Sequence, residues 1–361
     1  NRIHWHYGQR ILRATEFVIR HPRLFPVYLT NFRCSPDAFI TSYFKDIMED
    51  QGKPYLIIQL DELSSEIGYE TRIEAALESF RNHKRSEPRP SRPVVFSRLT
   101  KDKTWVLPHL DDSAMILAGS LLRRFGYESV IAEENPETIV MGLKYVGGGE
   151  CVPTGALLGG IAGTLKKHGL DPRKTAALIP SSLLSCNFPQ IPVAVKMGLR
   201  RAGLEEVEVF TTGVAGLKFP PALELALLKT YVLGGLLNKM TARVRAREVH
   251  KGDAEKVKKA GLEALSRAIL DNRGLPEAFR EVVRNFASVP GRLEDGRRPR
   301  LAILGDLYVV CNSAFNHRVE EAIEAAGGEA LPCSFIDISH YGYLNKFDRS
   351  LKDKDLEAAA K

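Results

Sequence analysis

The chain has 361 residues, of which 44 % are hydrophobic, so it can form well-packed cores over two or three domains, which excludes a disordered chain. Its formal net charge is +7, but 44 acidic residues are interspersed among 51 basic ones without a basic stripe or a nucleic-acid motif, so we expect no nucleic-acid partner. The sequence has neither an apolar run of about 18 residues nor a signal-peptide core, so we expect a cytoplasmic protein without a membrane partner.

The first segment, residues 1–90, predicts an α/β lobe. A helix is expected near Gln9 to Ile19, a strand at FPVYLTNF, a helix over FITSYFKDIMED and a strand at PYLIIQLD. Runs rich in Val, Ile, Leu and Tyr between amphipathic helices are typical of parallel strands that are covered on both faces. The charged, proline-rich stretch HKRSEPRPSRP then predicts a linker to a second unit.

The second segment, residues 91–219, repeats the β-then-α order around a glycine-rich turn. Strands are expected at TWVLPHL, SVIAEE, TAALIPSS and EVEVFTT, and helices over SAMILAGSLLRRFG, over LLGGIAGTLKKHG and from Pro192 to Ala202. Because glycine ends several of these helices and the order repeats, we predict the α/β fold class with an open parallel sheet.

The remainder of the chain predicts a helical segment and a final β-α-β piece. Residues 220–298 are nearly all helical in pattern and look like a helical connection. In residues 299–361, we expect PRLAILGDLYVV to be a strand, NHRVEEAIEAAGG a helix and EALPCSFID a second strand. We expect this piece to complete one of the lobes.

The glycine-rich turn lies in the stretch GLKYVGGGECVPTGALLGG, with Gly147, Gly148 and Gly149 before Glu150 and Cys151. A phosphate-binding P-loop needs Lys and then Ser or Thr after its last glycine, and none follows here. The spacing also differs from that of a dinucleotide fingerprint. Two interpretations stay open at this point: Gly147, Gly148 and Gly149 form an ordinary tight turn, or they bind a cofactor, bending the backbone so that Cys151 faces a metal cluster and their amides approach its sulfurs. Glu150 is either an acid or base beside that cluster or, as we favour, a helix-capping carboxylate.

The five cysteines are odd in number and widely spaced, unlike a disulfide framework. Cys34, Cys151 and Cys186 each precede turn or helix-opening residues, and Cys34 and Cys186 also follow predicted strands. Such positions converge in an open parallel sheet, and a helix N-terminus stabilises a thiolate. Lone cysteines are often small core residues, so a packing role stays open for these three. For Cys311 and Cys333 we favour that role.

Five stretches resemble the activator-related branch of the 2-hydroxyacyl-CoA dehydratase superfamily, in order and over most of the chain: NFRCSPDAFITSYFKDIM, KPYLIIQLDELSSEIGYETRIEAALES, GGGECVPTGALLGG, IPSSLLSCNFPQ and LGDLYVVCNSAFNHRVEEAIEAAGGEALP. The resemblance implies Rossmann-like lobes that clasp a 4Fe-4S or double-cubane iron–sulfur cluster in the crevice between them. It places the cluster ligands on Cys34, Cys151 and Cys186. The chain departs from the family pattern at Ser35, where glycine is common, and at Leu63, where histidine is common.

The resemblance also implies a function and partners. A separate ATP-dependent activator of the actin and sugar-kinase type would deliver low-potential electrons, used for reductive or dehydration chemistry at an open cluster iron. The substrate would be a small molecule or an acyl-CoA, and an upstream homologous subunit would supply a further lobe. Two alternatives are a cluster-bearing electron-transfer or scaffold subunit without its own substrate, and a metal-free Rossmann-like binding protein.

Overall fold

The fold is α/β with parallel sheets, as predicted. The computed structural model describes residues 3–31, 36–60, 66–84, 88–89, 93–181, 187–211, 219–292, 298–334 and 337. Cys34 and Cys186, two of the predicted cluster ligands, lie outside these residues, as does Leu63. None of the helices in the described ranges combines the length and apolarity needed to cross a bilayer.

In its described residues, the first unit is a two-stranded parallel sheet with three helices. Its elements are α1 (His6–Arg20), β1 (Val27–Asn31), α2 (Pro36–Gln51), β2 (Leu56–Leu60) and α3 (Glu66–Asn82). β1 and β2 pair in register, Val27 opposite Leu56. The carboxylate of Asp37 in the first turn of α2 accepts hydrogen bonds from the hydroxyls of Tyr28 and Thr30 on β1. Those two bonds fix the start of α2 against the strand.

The second unit is built on a four-stranded parallel sheet. Its elements are β3 (Thr104–Leu107), α4 (Asp112–Arg124), β4 (Ser129–Ile131), α5 (Pro136–Leu143), α6 (Val152–His168), β5 (Thr175–Leu178), α7 (Ile191–Arg201) and β6 (Glu208–Phe210). The strand order is β4-β3-β5-β6, so the chain reverses its direction across the sheet between β3 and β5. In open parallel sheets, ligands bind beyond the carboxyl ends of the strands at such a switch point.

The core of this sheet is centred on the indole of Trp105. The Trp105 side chain is fully buried, and its ring meets that of Phe210 edge to face with centroids 5.9 Å apart. Its indole nitrogen donates a hydrogen bond of 2.8 Å to the carbonyl oxygen of Thr100, so burial leaves no polar group of the ring unpaired. The central strand β3 is thereby anchored in the core, just before the residues that follow its carboxyl end.

The short helix α5 was not predicted from the sequence. It begins at a capping box in which Asn135 Oδ1 accepts from the Thr138 N–H, and Thr138 Oγ1 accepts from the Asn135 N–H. The glycine-rich turn therefore leaves the end of α5 and does not follow β4 directly. As a result, the packing of α5 against α6 determines where the turn lies.

The predicted helical segment contains three long helices. They are α8 (Pro221–Arg245), α9 (Asp253–Leu270) and α10 (Leu275–Ser288). α8 crosses α4 closely at Gly234, where a Cβ atom would lie 2.5 Å from the backbone nitrogen of Ala114. This close crossing brings α8 beside the residues that follow β3.

The final piece contains β7 (Arg300–Ala302), α11 (Leu307–Val310), α12 (Val319–Ala325) and β8 (Glu329–Leu331). The prediction that PRLAILGDLYVV is one strand was wrong. β7 ends at Ala302, and the Asp306 carboxylate accepts hydrogen bonds from the N–H groups of Tyr308 and Val309, which starts a helical turn. In the described residues β7 and β8 pair with each other and extend neither of the other sheets. The predicted domain boundaries stay predictions.

Candidate functional site

The glycine-rich turn is held by its own acidic residue. The two carboxylate oxygens of Glu150 accept hydrogen bonds from the N–H groups of Gly147, at 2.9 Å, and Gly149, at 3.2 Å. Gly148 between them has a φ of +87°, which a residue with a side chain rarely adopts. Glu150 therefore stabilises the turn that precedes α6, whose start has no side-chain cap, so the structure does not bear out the helix-capping interpretation. A role of Glu150 in proton transfer stays a prediction.

Helix α2 of the first unit packs directly on this turn. A Cβ atom at Gly147 would lie 2.6 Å from the Ser42 hydroxyl oxygen, so a side chain would clash at this position. The Arg201 guanidinium on α7 donates to the Tyr145 carbonyl at 3.2 Å and forms an ion pair of 3.1 Å with Asp46 on α2. The turn therefore lies where both units of the protein meet.

Cys151 lies at the start of α6 with an exposed side chain. Its Sγ atom accepts a hydrogen bond of 3.5 Å from the side-chain amide of Asn187. Asn187 directly follows Cys186 in the sequence. Because Cys34 and Cys186 are not described, the predicted convergence of the three thiols is not tested. No group of three or more metal-binding side chains assembles among the residues that are described.

The segment after Asn187 is also tied to α2. The buried Tyr43 hydroxyl lies 3.2 Å from the backbone oxygen of Gln190 and 3.3 Å from its side-chain oxygen. Burial and, secondarily, the charge of Glu150 raise the pKa of Tyr43 well above its usual value. The hydroxyl therefore stays protonated and holds the end of this loop against the helix that follows Cys34.

A second polar cluster lies beyond the carboxyl ends of β3 and β4, and the sequence did not predict it. The buried Glu134 carboxylate accepts hydrogen bonds from the Tyr308 hydroxyl, the Asn312 amide and the backbone N–H of His109. His109 also forms an ion pair of 2.5 Å with Asp112. Burial alone would lower the pKa of His109, but the hydrogen bond and charge of Asp112 raise it to about 9. His109 is therefore a paired imidazolium at neutral pH.

Asp111 at the start of α4 and its neighbour Asp112 each have a buried oxygen without a hydrogen bond among the described residues, but that of Asp112 is in the ion pair with His109. The Asp111 side chain is only 2 % exposed, and its φ of +60° is unusual for a residue other than glycine. The Oδ1 atom accepts from the Ala114 N–H at 3.2 Å and from the Asn238 amide at 2.9 Å. The Oδ2 atom is buried without a hydrogen-bond partner among the described residues. Burial raises the pKa of this carboxyl to about 6.

We expect the variant Asp111→Asn to remove a pH dependence of stability. The folded-state pKa of about 6 exceeds the reference value of 3.8, so Asp111 contributes stability below about pH 4 that is lost as the pH rises through 6. A shift of about two pKa units corresponds to about 3 kcal/mol. The unfolding free energy of the wild type should therefore fall by about this amount relative to the variant between about pH 4 and about pH 7.

Urea unfolding of both proteins at the two pH values measures this difference. The matched control is Asp171→Asn, because Asp171 also caps a turn, by accepting from the Arg173 N–H, but lies at the surface. A difference between wild type and Asp111→Asn that does not change with pH would contradict the burial of a titrating carboxyl at this position.

One sequence signal could have indicated this cluster. The pair Asp111 and Asp112 directly follows the predicted strand TWVLPHL, at the edge of the sheet where ligands bind.

Comparison of the chain with protein-family models, with curated proteins and with solved structures finds no match in any of the three.

Proposed function

We propose that the chain is an iron–sulfur protein in which Cys34, Cys151 and Cys186 hold a 4Fe-4S or double-cubane cluster. In this proposal it accepts low-potential electrons from an ATP-dependent activator and uses them for reductive or dehydration chemistry on a small molecule or an acyl-CoA. The observation that carries the proposal is the hydrogen bond between Asn187 and the exposed Sγ atom of Cys151. It brings the residue that follows Cys186 to the side chain of a second predicted ligand.

The environment of the Cys151 side chain suits a cysteine ligand of an iron–sulfur cluster. Its side chain is exposed, so it is not one of the small core residues that most lone cysteines are. It precedes the first turn of a 17-residue helix, whose dipole favours a negatively charged group such as a cluster at this end. Asn187 adds a hydrogen-bond donor to the sulfur, and such donors are among the features that set the potential of an iron–sulfur site.

The positions of Cys34 and Cys186 in the chain also support a cluster shared with Cys151. Cys34 lies two residues before Pro36, where α2 begins, and α2 contacts the glycine-rich turn through Ser42. Cys186 lies directly before Asn187. Described residues of α2, of the glycine-rich turn and of the chain from Asn187 onwards thus contact one another, through Glu150, Tyr43 and Arg201 among others. When bound, a cubane with three cysteine ligands supplies low-potential electrons and one iron atom open to a substrate.

The test is the iron and acid-labile sulfide content of protein purified without oxygen. We expect about four irons per chain or more in the wild type, and loss of most of them in Cys34→Ala, Cys151→Ala and Cys186→Ala. The matched controls are Cys311→Ala and Cys333→Ala, since both are free cysteines outside the proposed set. Absence of iron after anaerobic reconstitution would overturn the proposal, and equal loss in the controls would overturn the ligand assignment.

Asn187→Leu separates the role of the hydrogen bond from that of the ligands. This variant keeps all three cysteines but removes the amide that donates to Cys151 Sγ. We expect it to retain its iron and to have a lower midpoint potential than the wild type, because hydrogen bonds to sulfur stabilise the reduced cluster. The proposed electron donor is tested separately: we expect the cluster to be reduced only when both the activator and ATP are present.

A further inference from the structure

A cleft of about 820 Å³ lies beyond the carboxyl end of β3, between α4, α8, α9 and the final β-α-β piece. We call it the Asp111 cleft and define it by the lining residues Asp111, Asn238, Lys251, Lys258, Cys311 and Cys333. Its volume falls in the range of about 300–1,000 Å³ that is typical of small-molecule sites. Its position matches the edge at which parallel sheets bind ligands.

Asp111, a buried polar residue that lines the cleft, offers a preformed hydrogen-bond acceptor. The Ser113 hydroxyl donates to Asn238 Oδ1 at 2.6 Å, which turns the Asn238 amide nitrogen towards Asp111 Oδ1. Oδ1 is thus fully used, whereas Oδ2 is buried without a partner in the described part of the chain. A buried carboxylate oxygen without a donor is unfavourable, so this geometry favours a ligand that donates a hydrogen bond to Oδ2.

The other carboxylates of the cleft are already paired. Glu248 accepts from the N–H groups of Gly252 and Ala254 at 2.8 Å each. The remaining pairs are Asp112 with His109, Glu321 with Arg318, and Glu255, Glu320 and Glu324 with Arg245. Each of these acidic groups therefore has a partner among the described residues, unlike Asp111 Oδ2.

The cleft also offers cations that could meet an anion. Lys251 and Lys258 line it, and neither side chain forms a hydrogen bond or an ion pair within the described ranges. The charge of Lys258 lowers the pKa of the carboxyls of both Asp111 and Asp112, so the Lys258 side chain lies near these two residues. A residue with one unpaired acceptor and two lysines without a described partner therefore line the same cleft.

We propose that the Asp111 cleft binds a small phosphorylated amine. Its ammonium group donates to Asp111 Oδ2, and its phosphate contacts Lys251 and Lys258. An ammonium suits an anionic acceptor because a charge-assisted hydrogen bond is about twice as strong as a neutral one. This site does not depend on the cysteine ligands of the proposed cluster.

Isothermal titration of the full chain with ethanolamine phosphate tests the proposal, with ethanolamine and inorganic phosphate as its two halves. We expect the intact compound to bind at least about tenfold more tightly than either half. Asp111→Asn should remove the advantage over inorganic phosphate, because the new amide offers a donor where the ammonium needs an acceptor. Lys258→Met combined with Lys251→Met should remove the advantage over ethanolamine.

The controls separate binding from folding. Asparagine caps a helix about as well as aspartate, so Asp111→Asn should keep α4, which a near-UV circular dichroism spectrum checks. The surface variant Asp171→Asn should bind as the wild type does. The proposal is overturned if ethanolamine phosphate gives no binding at millimolar concentration, if Asp111→Asn binds it equally well, or if Asp171→Asn weakens it equally. Unchanged iron content in Asp111→Asn would show that the two sites are independent.

Discussion

Replacing Gly159 with alanine is expected to lower the free energy of unfolding by about 3 kcal/mol or more. A Cβ atom at this position would lie 1.8 Å from the backbone oxygen of Thr138, which cannot move without displacing α5. The contact is reciprocal, since a Cβ atom at Gly142 on α5 would lie 1.9 Å from the backbone oxygen of Gly155 on α6. The two helices therefore pack backbone against backbone. Urea unfolding of wild type and variant measures the loss.

The matched control is Gly119→Ala, because Gly119 is also buried in the interior of a helix. A Cβ atom there would have its nearest neighbours at 3.5 Å and 3.6 Å, which is ordinary van der Waals contact. Since alanine favours a helix over glycine by about 1 kcal/mol, Gly119→Ala should be neutral or slightly stabilising. If the two variants had equal stability, α5 and α6 would not cross as closely as described.

The elements that the sequence predicted correctly are those with a strong local pattern. β3 and β5 are apolar runs buried on both faces, and α6 is a long apolar helix that ends at Gly169 with a φ of +60°. The helix α5 was missed because its eight residues include no charged helical face and depend on the glycine contacts with α6. The strand predicted over PRLAILGDLYVV failed because the local cap at Asp306 outweighs the β propensity of the residues that follow it.

The candidate sites show the same division between local and distant information. The position of Cys151 in a turn before a helix could be predicted, because glycines and Pro153 beside it favour a turn and a helix start, whereas its exposure could not. The hydrogen bond from Tyr308 to Glu134 joins residues 174 positions apart, and that from Asn312 to Glu134 joins residues 178 positions apart. Only tertiary packing determines such pairs, so a single sequence could place the acids at the sheet edge but not their partners.

Replacing Arg245 with methionine is expected to lower the free energy of unfolding at neutral pH by about 3 kcal/mol. Arg245 ends α8 and pairs with Glu255 at 2.6 Å, Glu320 at 3.1 Å and Glu324 at 2.6 Å. The side chain of Glu324 is only 8 % exposed and that of Arg245 15 %, so these charges have little access to water. Without the guanidinium, three carboxylates of like charge remain close together. The ion pairs thus join α8 to α9 and to the final β-α-β piece.

The pH dependence of this loss distinguishes unpaired charge from lost packing. Burial raises the pKa of Glu324 even in the wild type, where Arg245 opposes the shift, so removal of Arg245 should raise it further. A carboxyl with a raised folded-state pKa gives its full stability only below its unfolded value of about 4.3 and loses it as the pH rises. The difference between wild type and Arg245→Met in urea unfolding should therefore be small near pH 4 and grow towards pH 7.

The matched control is Arg280→Met, which removes an arginine whose ion pair with Glu277 is exposed, so it should change stability by less than about 1 kcal/mol. A loss in Arg245→Met that is constant over this pH range would mean that packing of the methylene groups, and not the three glutamates, explains the role of Arg245.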